Sequence, residues 1–220
     1  MKTLKKLAAA AALIALSGAA QAALVNRGCG MIYDTTRNIT WLANMNVNGL
    51  MNWGTATAWA NNLVYGGFSD WRLPTLNPAD TTCSSNFNPL GGFPTQYFGT
   101  GCTGGELSGL FVTDLGNKAN ESVLNQVGDT LEQIANLALF SNVQSNFYWS
   151  GTEYARLPTR AWNFSTTDGK QSDVYYKDNG FYAVAVRPGD VAASVPEPQT
   201  LALALLALGA TVVVRRRRPT

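Results

Sequence analysis

The chain of 220 residues contains no histidine, and this absence removes several kinds of chemistry. A Ser-His-Asp triad and a Cys-His pair both use an imidazole as general base, so neither can be built within the chain. Metal sites with imidazole ligands are excluded for the same reason, and three cysteines without histidine do not favour zinc. An enzyme would have to rely on carboxylates, lysine, tyrosine or cysteine.

Charged residues are also few, at 14% of the chain, and their distribution argues against nucleic-acid binding. Lys2, Lys5, Lys6 and a C-terminal arginine cluster hold seven of the sixteen basic residues. Between Ala23 and Val195, nine basic residues face thirteen acidic ones, a net charge of −4. Such a domain lacks the positive stripe that tracks phosphates, so we expect no nucleic-acid partner.

The C-terminal apolar run is too short for an ordinary transmembrane anchor. Residues 201–214 would make a helix about 21 Å long, against a hydrocarbon core of about 30 Å. The run is preceded by Val195, Pro196, Glu197 and Pro198 and followed by Arg215, Arg216, Arg217 and Arg218. The positive-inside tendency would hold the arginines in the cytoplasm. This pattern favours transient insertion in the inner membrane over permanent anchorage.

The N-terminal residues have the three parts of a secretory signal peptide. Three lysines precede an apolar run over residues 7–16, and Ala20 and Ala22 supply the small-residue cleavage pattern. We predict cleavage before Ala23. The chain then divides into a signal peptide (residues 1–22), a folded domain (23–190) and a C-terminal sorting segment (191–220).

Export determines how the cysteines are interpreted, because an oxidising compartment lets thiols pair. Cys83 and Cys102 flank a segment rich in glycine, proline and asparagine. A disulfide between them would close a loop of about twenty residues and contribute about 3 kcal/mol, the alternative being two free thiols. Cys29 is left over, either buried or paired with another molecule.

Helical patterns come early in the domain and strand patterns late, which indicates an α+β fold. A hairpin is predicted around residues 34–38, a helix after the N-cap Asn52, and a second helix over residues 106–115 that ends at Gly116. Residues 121–143 are interpreted as an insertion. The segments 146–154, 160–167, 172–177 and 181–189 are predicted as strands of an antiparallel meander.

Residues 70–75 combine dissimilar side chains in a way that a surface loop rarely does. We expect Trp71 and Leu73 to be buried, Asp70 and Arg72 to make charge-assisted hydrogen bonds, and Pro74 to end the segment.

Seven motifs resemble the Lcl C-terminal domain family in order and rough spacing over residues 28–189: IYDTTRNITWL, WGTATAWANNL, GFSDWRLPT, ELSGLF, YWSGTEY, AWNF and YAVAVRPG. The strongest signature positions are Asp70, Trp71, Arg72, Leu73, Pro74, Trp149 and Arg187. The resemblance implies a fold similar to C-type lectins and to the formylglycine-generating enzyme, with two helices packed on a small antiparallel sheet and with long loops. Many relatives have a cysteine before the final arginine, whereas this chain has Val186, so Cys29 lacks that partner.

The C-terminal segment resembles the PEP-CTERM sorting signal. That resemblance implies recognition by an exosortase, which cuts near Val195, Pro196, Glu197 and Pro198 and releases or transfers the domain. We expect the processed domain in the cell envelope or extracellular matrix. No cofactor is expected. The thiol- or copper-based site of a formylglycine-generating enzyme cannot be assembled from Cys29, Cys83 and Cys102.

Acidic residues offer no clear catalytic or metal-binding pattern. Asp168, Asp173 and Asp178 lie in or beside predicted turns and do not follow the alternation of a calcium loop. Glu106 and Glu153 would form a carboxylate pair only if the fold brought them together.

A non-catalytic module that binds polysaccharide or surface ligands is therefore the preferred hypothesis. Aromatic rings stack on sugar faces and arginines hydrogen-bond their hydroxyls. The candidates are Phe93, Tyr97 and Phe98 in the cysteine-flanked loop and Tyr154, Arg156 and Arg160 on another turn. The alternative for each is a ring that covers a loop or a solvated arginine. A self-associating matrix component and an enzyme of unknown type also stay open.

Overall fold

The computed structural model describes residues 23–172 and 175–191 and has an α+β architecture, as predicted. These residues form two antiparallel sheets and three short helices. The first sheet has the order β1-β2-β3-β9 and the second the order β4-β5-β8-β7-β6. The strands are β1 Leu24–Gly28, β2 Met31–Asp34, β3 Ile39–Leu42, β4 Ser85–Phe87, β5 Gln96–Thr100, β6 Phe147–Glu153, β7 Ala161–Ser165, β8 Lys170–Ser172 and β9 Val186–Pro188.

The predicted hairpin around residues 34–38 is confirmed as β2 and β3. Asp34 starts its turn because its carboxylate accepts the backbone N–H groups of Thr36 and Arg37, each at 3.0 Å. Strand β9 then pairs with β3, placing Arg187 opposite Thr40. The beginning and the end of the folded domain therefore lie in one sheet.

The predicted meander of the last third is correct for β6 and β7, displaced along the chain for the third strand and wrong for the fourth. Strands β6, β7 and β8 pair in sequence order. Of the predicted strand over residues 172–177, Ser172 belongs to β8 (Lys170–Ser172), and residues 173 and 174 lie outside the described residues. Strand β9 leaves the meander to join the first sheet. The meander is extended by β5, which pairs Gly99 with Gln171. The alternation of residues along a strand does not specify which sheet the strand joins. The sequence pattern therefore did not predict that β9 would join the first sheet or that β5 would pair with β8.

The first helix, α1 (Trp53–Asn61), begins where the sequence predicts. The side chain of Asn52 accepts the N–H of Thr55 at 2.8 Å and so satisfies one free donor of the first turn. Ala56 and Ala60 are buried against the core, whereas the indoles of Trp53 and Trp59 are half-buried.

The second helix, α2 (Glu106–Gly109), continues as a π-helical turn over Leu110–Asp114. In that turn, the carboxylate of Asp114 accepts a hydrogen bond from Nη1 of Arg37 at 2.6 Å. A third helix, α3 (Leu131–Leu137), lies inside the segment interpreted as an insertion and is capped by Thr130. The sequence analysis predicted two helices, and the structure corrects this number by adding α3.

Aromatic side chains from both sheets are among the most deeply buried residues of the core. Trp41, Trp149 and Trp162 have at most 1% exposure. The ring of Phe111 stacks on Phe164 with centroids 5.4 Å apart. The indole N–H of Trp149 donates to the carbonyl of Met51 at 2.8 Å, so the burial of this polar group is compensated.

Several predictions fall outside the described residues. These are the signal peptide with Ala20 and Ala22, the motif of Val195, Pro196, Glu197 and Pro198, the short transmembrane helix, and Arg215, Arg216, Arg217 and Arg218. Asp173 is also outside them. Of the helices in residues 23–172 and 175–191, none has the length and apolar character needed to cross a membrane.

Candidate functional site

The signature segment of residues 70–75 connects the two sheets. Arg72 exchanges both backbone hydrogen bonds with Val186 of β9, each at 2.8 Å. Two residues later, the carbonyl of Pro74 accepts the N–H of Gly151 in β6 at 2.8 Å. The predicted burial of Trp71 and Leu73 is confirmed, at 2% and 3% exposure. The segment thus bridges the two sheets through backbone hydrogen bonds.

Asp70 is held by the arginine at the far end of the domain. Arg187 donates from Nε to Oδ1 at 2.8 Å and from Nη2 to Oδ2 at 3.0 Å, and its guanidinium lies 3.9 Å from the ring centroid of Phe68. The hydrogen bonds from Arg187 lower the pKa of Asp70. This arrangement joins two signature residues into a structural pair.

Arg72 forms a second bidentate pair with Glu106 at the start of α2. Nη1 and Nη2 each donate to a carboxylate oxygen at 2.7 Å, and the backbone N–H of Thr75 donates to the same carboxylate at 2.8 Å. Burial raises the pKa of Glu106, but the hydrogen bonds from Arg72 and Thr75 outweigh it, so the net pKa is lowered.

Three acidic residues considered in the sequence analysis are engaged in separate ion pairs. Glu153 contacts Lys177 at 3.0 Å, whereas Glu106 contacts Arg72, so the two glutamates have different partners. Asp168 contacts Lys170 at 2.9 Å. Each of these three carboxylates therefore has its own cationic partner.

One group among the described residues has the composition of a metal site, and the disulfide accounts for it. It consists of Asp80, Cys83 and Cys102. The cysteines form the predicted disulfide, so neither offers a thiolate. Asp80 accepts hydrogen bonds from the N–H and hydroxyl of Thr82 and from the N–H of Gly104, which hold the disulfide loop.

A depression of about 310 Å³ lies between the hairpin of β4 and β5 and the turn that joins β6 to β7. Strand pairing places Phe87 opposite Gln96 and Ser85 opposite Phe98, so these residues share one face of the hairpin. The turn supplies the facing wall. The lining consists of Phe87, Gln96, Phe98, Tyr154, Arg156, Leu157 and Arg160.

The two arginines of the turn lie over aromatic faces. The guanidinium of Arg156 is 5.3 Å from the ring centroid of Phe87, and that of Arg160 is 4.9 Å from Tyr176. Tyr154 is 4% exposed and packs edge-on against Trp162, which fixes the base of the turn. Phe87 and Leu157 are exposed at 45% and 43%. The depression therefore combines accessible apolar surface with two cations.

The Lcl C-terminal domain family matches residues 30–187, well over half of the chain. The chain belongs to the Lcl C-terminal domain family. The resemblance seen in the seven motifs is thereby confirmed. No curated protein and no solved structure matches the chain, so the similarity to C-type lectins stays a prediction.

The second match is the PEP-CTERM protein-sorting motif over residues 194–218. It covers Val195, Pro196, Glu197 and Pro198 and the four arginines that follow the apolar run. This Lcl C-terminal domain protein is therefore exported across the inner membrane and processed by an exosortase, and it functions in the envelope or outside the cell.

Within this domain, the structure brings together part of the predicted ligand-binding set. Tyr154, Arg156, Arg160 and Phe98 line the depression. Tyr97 does not line it, because strand alternation turns its side chain to the opposite face from Gln96 and Phe98. Phe93 lies in the connection between β4 and β5 and is also outside the lining.

Three lining residues were missed by the sequence analysis: Phe87, Gln96 and Leu157. The signal for the first two was the pair of glycines, Gly91 and Gly92, in a proline-containing connection between two short β-prone segments. Such a pattern is typical of a hairpin with a longer loop. Interpreting the segment only as a disulfide-closed loop left its two faces undefined.

Proposed function

We propose that this Lcl C-terminal domain is a non-catalytic module that binds polysaccharide of the cell surface or matrix. The depression between the β4–β5 hairpin and residues 154–160 is the proposed site. The observation that supports it is the grouping of two accessible phenyl rings with arginine and amide donors around one concave surface. Sugar rings present apolar faces to aromatic side chains and hydroxyls to such donors.

The construction of the depression favours binding by a preformed surface. One wall is a hairpin closed at its base by the disulfide of Cys83 and Cys102. The other wall is anchored by Tyr154, which is buried against Trp162. A site held on both sides loses little conformational freedom when a ligand binds.

The absence of catalysis is part of the proposal and is supported by the groups in the lining. Its ionisable side chains are two arginines and the tyrosine Tyr154. Neither arginine can act as a general base, because guanidinium does not lose its proton in proteins. The described lining offers no carboxylate to activate water.

A glycan array and polysaccharide pull-down with the processed protein test this function. We expect binding that falls about tenfold in Phe87→Ala, because removing a stacking ring costs on the order of 1–2 kcal/mol. Phe93→Ala is the matched control, since Phe93 is an exposed phenylalanine of the same hairpin outside the lining. Equal losses in both variants, or no binding at all, would contradict the proposal.

Self-association is the second candidate, and the position of Cys29 favours it. Cys29 is a free and exposed cysteine in the tight turn between β1 and β2. An oxidising compartment permits such a thiol to pair with another molecule. Non-reducing electrophoresis of the exported protein is expected to give a dimer that Cys29→Ser abolishes if assembly is the function, and a monomer in both if it is not.

A further inference from the structure

We propose that an exposed apolar face beside the C-terminal end of the domain contacts the outer surface of the inner membrane while the sorting segment still anchors the chain. The face lies at the end of α1 and in the turn that follows it, and it consists of Ala58, Trp59, Leu63, Val64 and Tyr65. Its partner is a phospholipid surface. The contact precedes processing and does not involve the polysaccharide site.

The apolar face is accessible and carries no charge. Val64 is 73% exposed and Tyr65 36%, whereas Trp59 and Leu63 are half-buried. Four members of the face line an open depression of about 520 Å³ along α1. Residues 38–69 contain no aspartate, glutamate, lysine or arginine. Such a surface can enter the headgroup layer without desolvating an ion of its own.

The chain leaves the described domain beside this face. Tyr65 and Phe68 exchange both backbone hydrogen bonds, each at 3.0 Å, and the ring centroid of Phe68 lies 3.9 Å from the guanidinium of Arg187. Arg187 also donates to the carbonyl of Asp190 at 3.3 Å. The hydroxyl of Tyr65 donates to the carbonyl of Cys29 at 2.8 Å, which joins the same turn to the end of β1. A membrane tether that starts after residue 191 therefore starts next to the apolar face.

The charged side chains around this exit are paired with one another. Arg27 donates to both carboxylate oxygens of Asp190, at 2.9 and 2.6 Å, and Arg187 holds Asp70 in the same bidentate manner. The domain as a whole has a net charge of −4, which opposes contact with anionic headgroups. The side on which carboxylates are neutralised by arginines is therefore the side that a bilayer tolerates best.

The tether is short enough to keep this side at the membrane. Residues 192–200 separate Val191 from the apolar run of residues 201–214, and they can span no more than about 35 Å. A tether of this length gives an effective concentration on the order of millimolar, so even a weak contact is populated. Trp59 and Tyr65 supply amphipathic rings of the kind that reside at the headgroup level. Cleavage removes the tether and with it most of the contact.

Fluorescence quenching by lipid tests the contact in the full chain, reconstituted in vesicles of phosphatidylethanolamine and phosphatidylglycerol with brominated acyl chains. The Cys29→Ser background leaves no thiol besides the disulfide, and Val64→Cys then carries a polarity-sensitive dye. We expect a blue-shifted emission and strong quenching, because residue 64 lies against the headgroup layer.

Val127→Cys with the same dye is the matched control. Val127 is also an exposed valine, at 80%, and it precedes α3. Helix α3 lines a depression together with Ala23, at the opposite end of β1 from Cys29. The dye at residue 127 should therefore show neither the shift nor the quenching.

A second variant tests the chemistry of the face without a label at residue 64. Dye on Asn62→Cys, which lines the same depression, should be quenched, and adding Val64→Asp should reduce that quenching severalfold because a carboxylate resists desolvation. Equal quenching at residues 64 and 127 would overturn the proposal, since the domain would then have no preferred side. Absence of quenching at both would also overturn it and would assign the face to a protein partner, the exosortase or a second copy of the chain.

Discussion

The charged side chains of the signature segment tie together parts of the chain that are far apart in sequence. Asp70 is bound by Arg187, 117 residues later, and Arg72 binds Glu106, 34 residues later. Both pairs are bidentate, which fixes orientation as well as distance. The signature of the Lcl C-terminal domain is thus explained by architecture, since these residues hold the sheets and α2 in register.

The Arg72–Glu106 pair should give stability that depends on pH. The folded-state pKa of Glu106 lies below its ordinary value of 4.5, so its contribution is fully present above that value and is lost as pH falls through the folded pKa. We expect Glu106→Gln to lower the free energy of unfolding by about 1–2 kcal/mol at pH 7, after allowance for the partial exposure of Arg72. The difference from the wild type should shrink in acid.

Urea denaturation at a series of pH values measures this difference. Glu153→Gln is the matched control, because Glu153 also forms an ion pair, with Lys177, but its side chain is 46% exposed. A surface pair of that kind should cost less than about 1 kcal/mol. A Glu106→Gln effect that stayed constant down to acidic pH would contradict the assigned role.

At the scale of elements, the parts that could be predicted from sequence are those with local signals. The cap at Asn52 and the turn at Asp34 each involve side-chain bonds within a few residues, and both gave correct elements. Pairings between distant segments were missed, since the sequence alone does not specify that β9 joins β3 or that β5 joins β8. The proposed binding site was predicted only in part for the same reason. The turn over residues 154–160 is contiguous in sequence and was predicted, whereas Phe87 and Gln96 become neighbours only through pairing of β4 with β5.

The disulfide is the element-scale feature with the clearest consequence for stability and binding. Cys83 and Cys102 are 19 residues apart and enclose the whole β4–β5 hairpin. We expect replacement of both by serine to cost about 3 kcal/mol, because the unfolded chain gains freedom. Polysaccharide binding should fall as well, since Phe87 and Phe98 are positioned by that hairpin.

Chemical denaturation and glycan titration of the double variant check both effects. Cys29→Ser serves as the control, because it removes an exposed cysteine that is in no intramolecular disulfide. An unchanged unfolding midpoint in the double variant would show that the hairpin is held by its other contacts, such as the hydrogen bonds to Asp80.

At the scale of the whole molecule, the two ends of the described domain meet. Arg27 of β1 contacts Asp190 at 2.6 Å, just beyond β9, so both ends of the fold meet at one sheet. Val191 is still part of the core at 4% exposure. The sheets and core formed by residues 23–172 and 175–191 therefore end before the sorting motif begins at residue 194. Removal of the motif should leave the melting temperature of the domain unchanged.

Intact-mass measurement of the exported protein tests how the ends are processed. We expect an N-terminus at Ala23 and a C-terminus near Val195, Pro196, Glu197 and Pro198, with loss of the arginine cluster, because the PEP-CTERM motif directs exosortase cleavage. Glu197→Ala should accumulate chain that retains the apolar run and the arginines, since it removes the single acidic group of the motif. Gln199→Ala, a polar residue just outside those four, is the matched control and should be processed normally. A wild-type C-terminus at Thr220 would contradict processing, whereas added mass on a shortened chain would mean that cleavage transfers the domain to an acceptor.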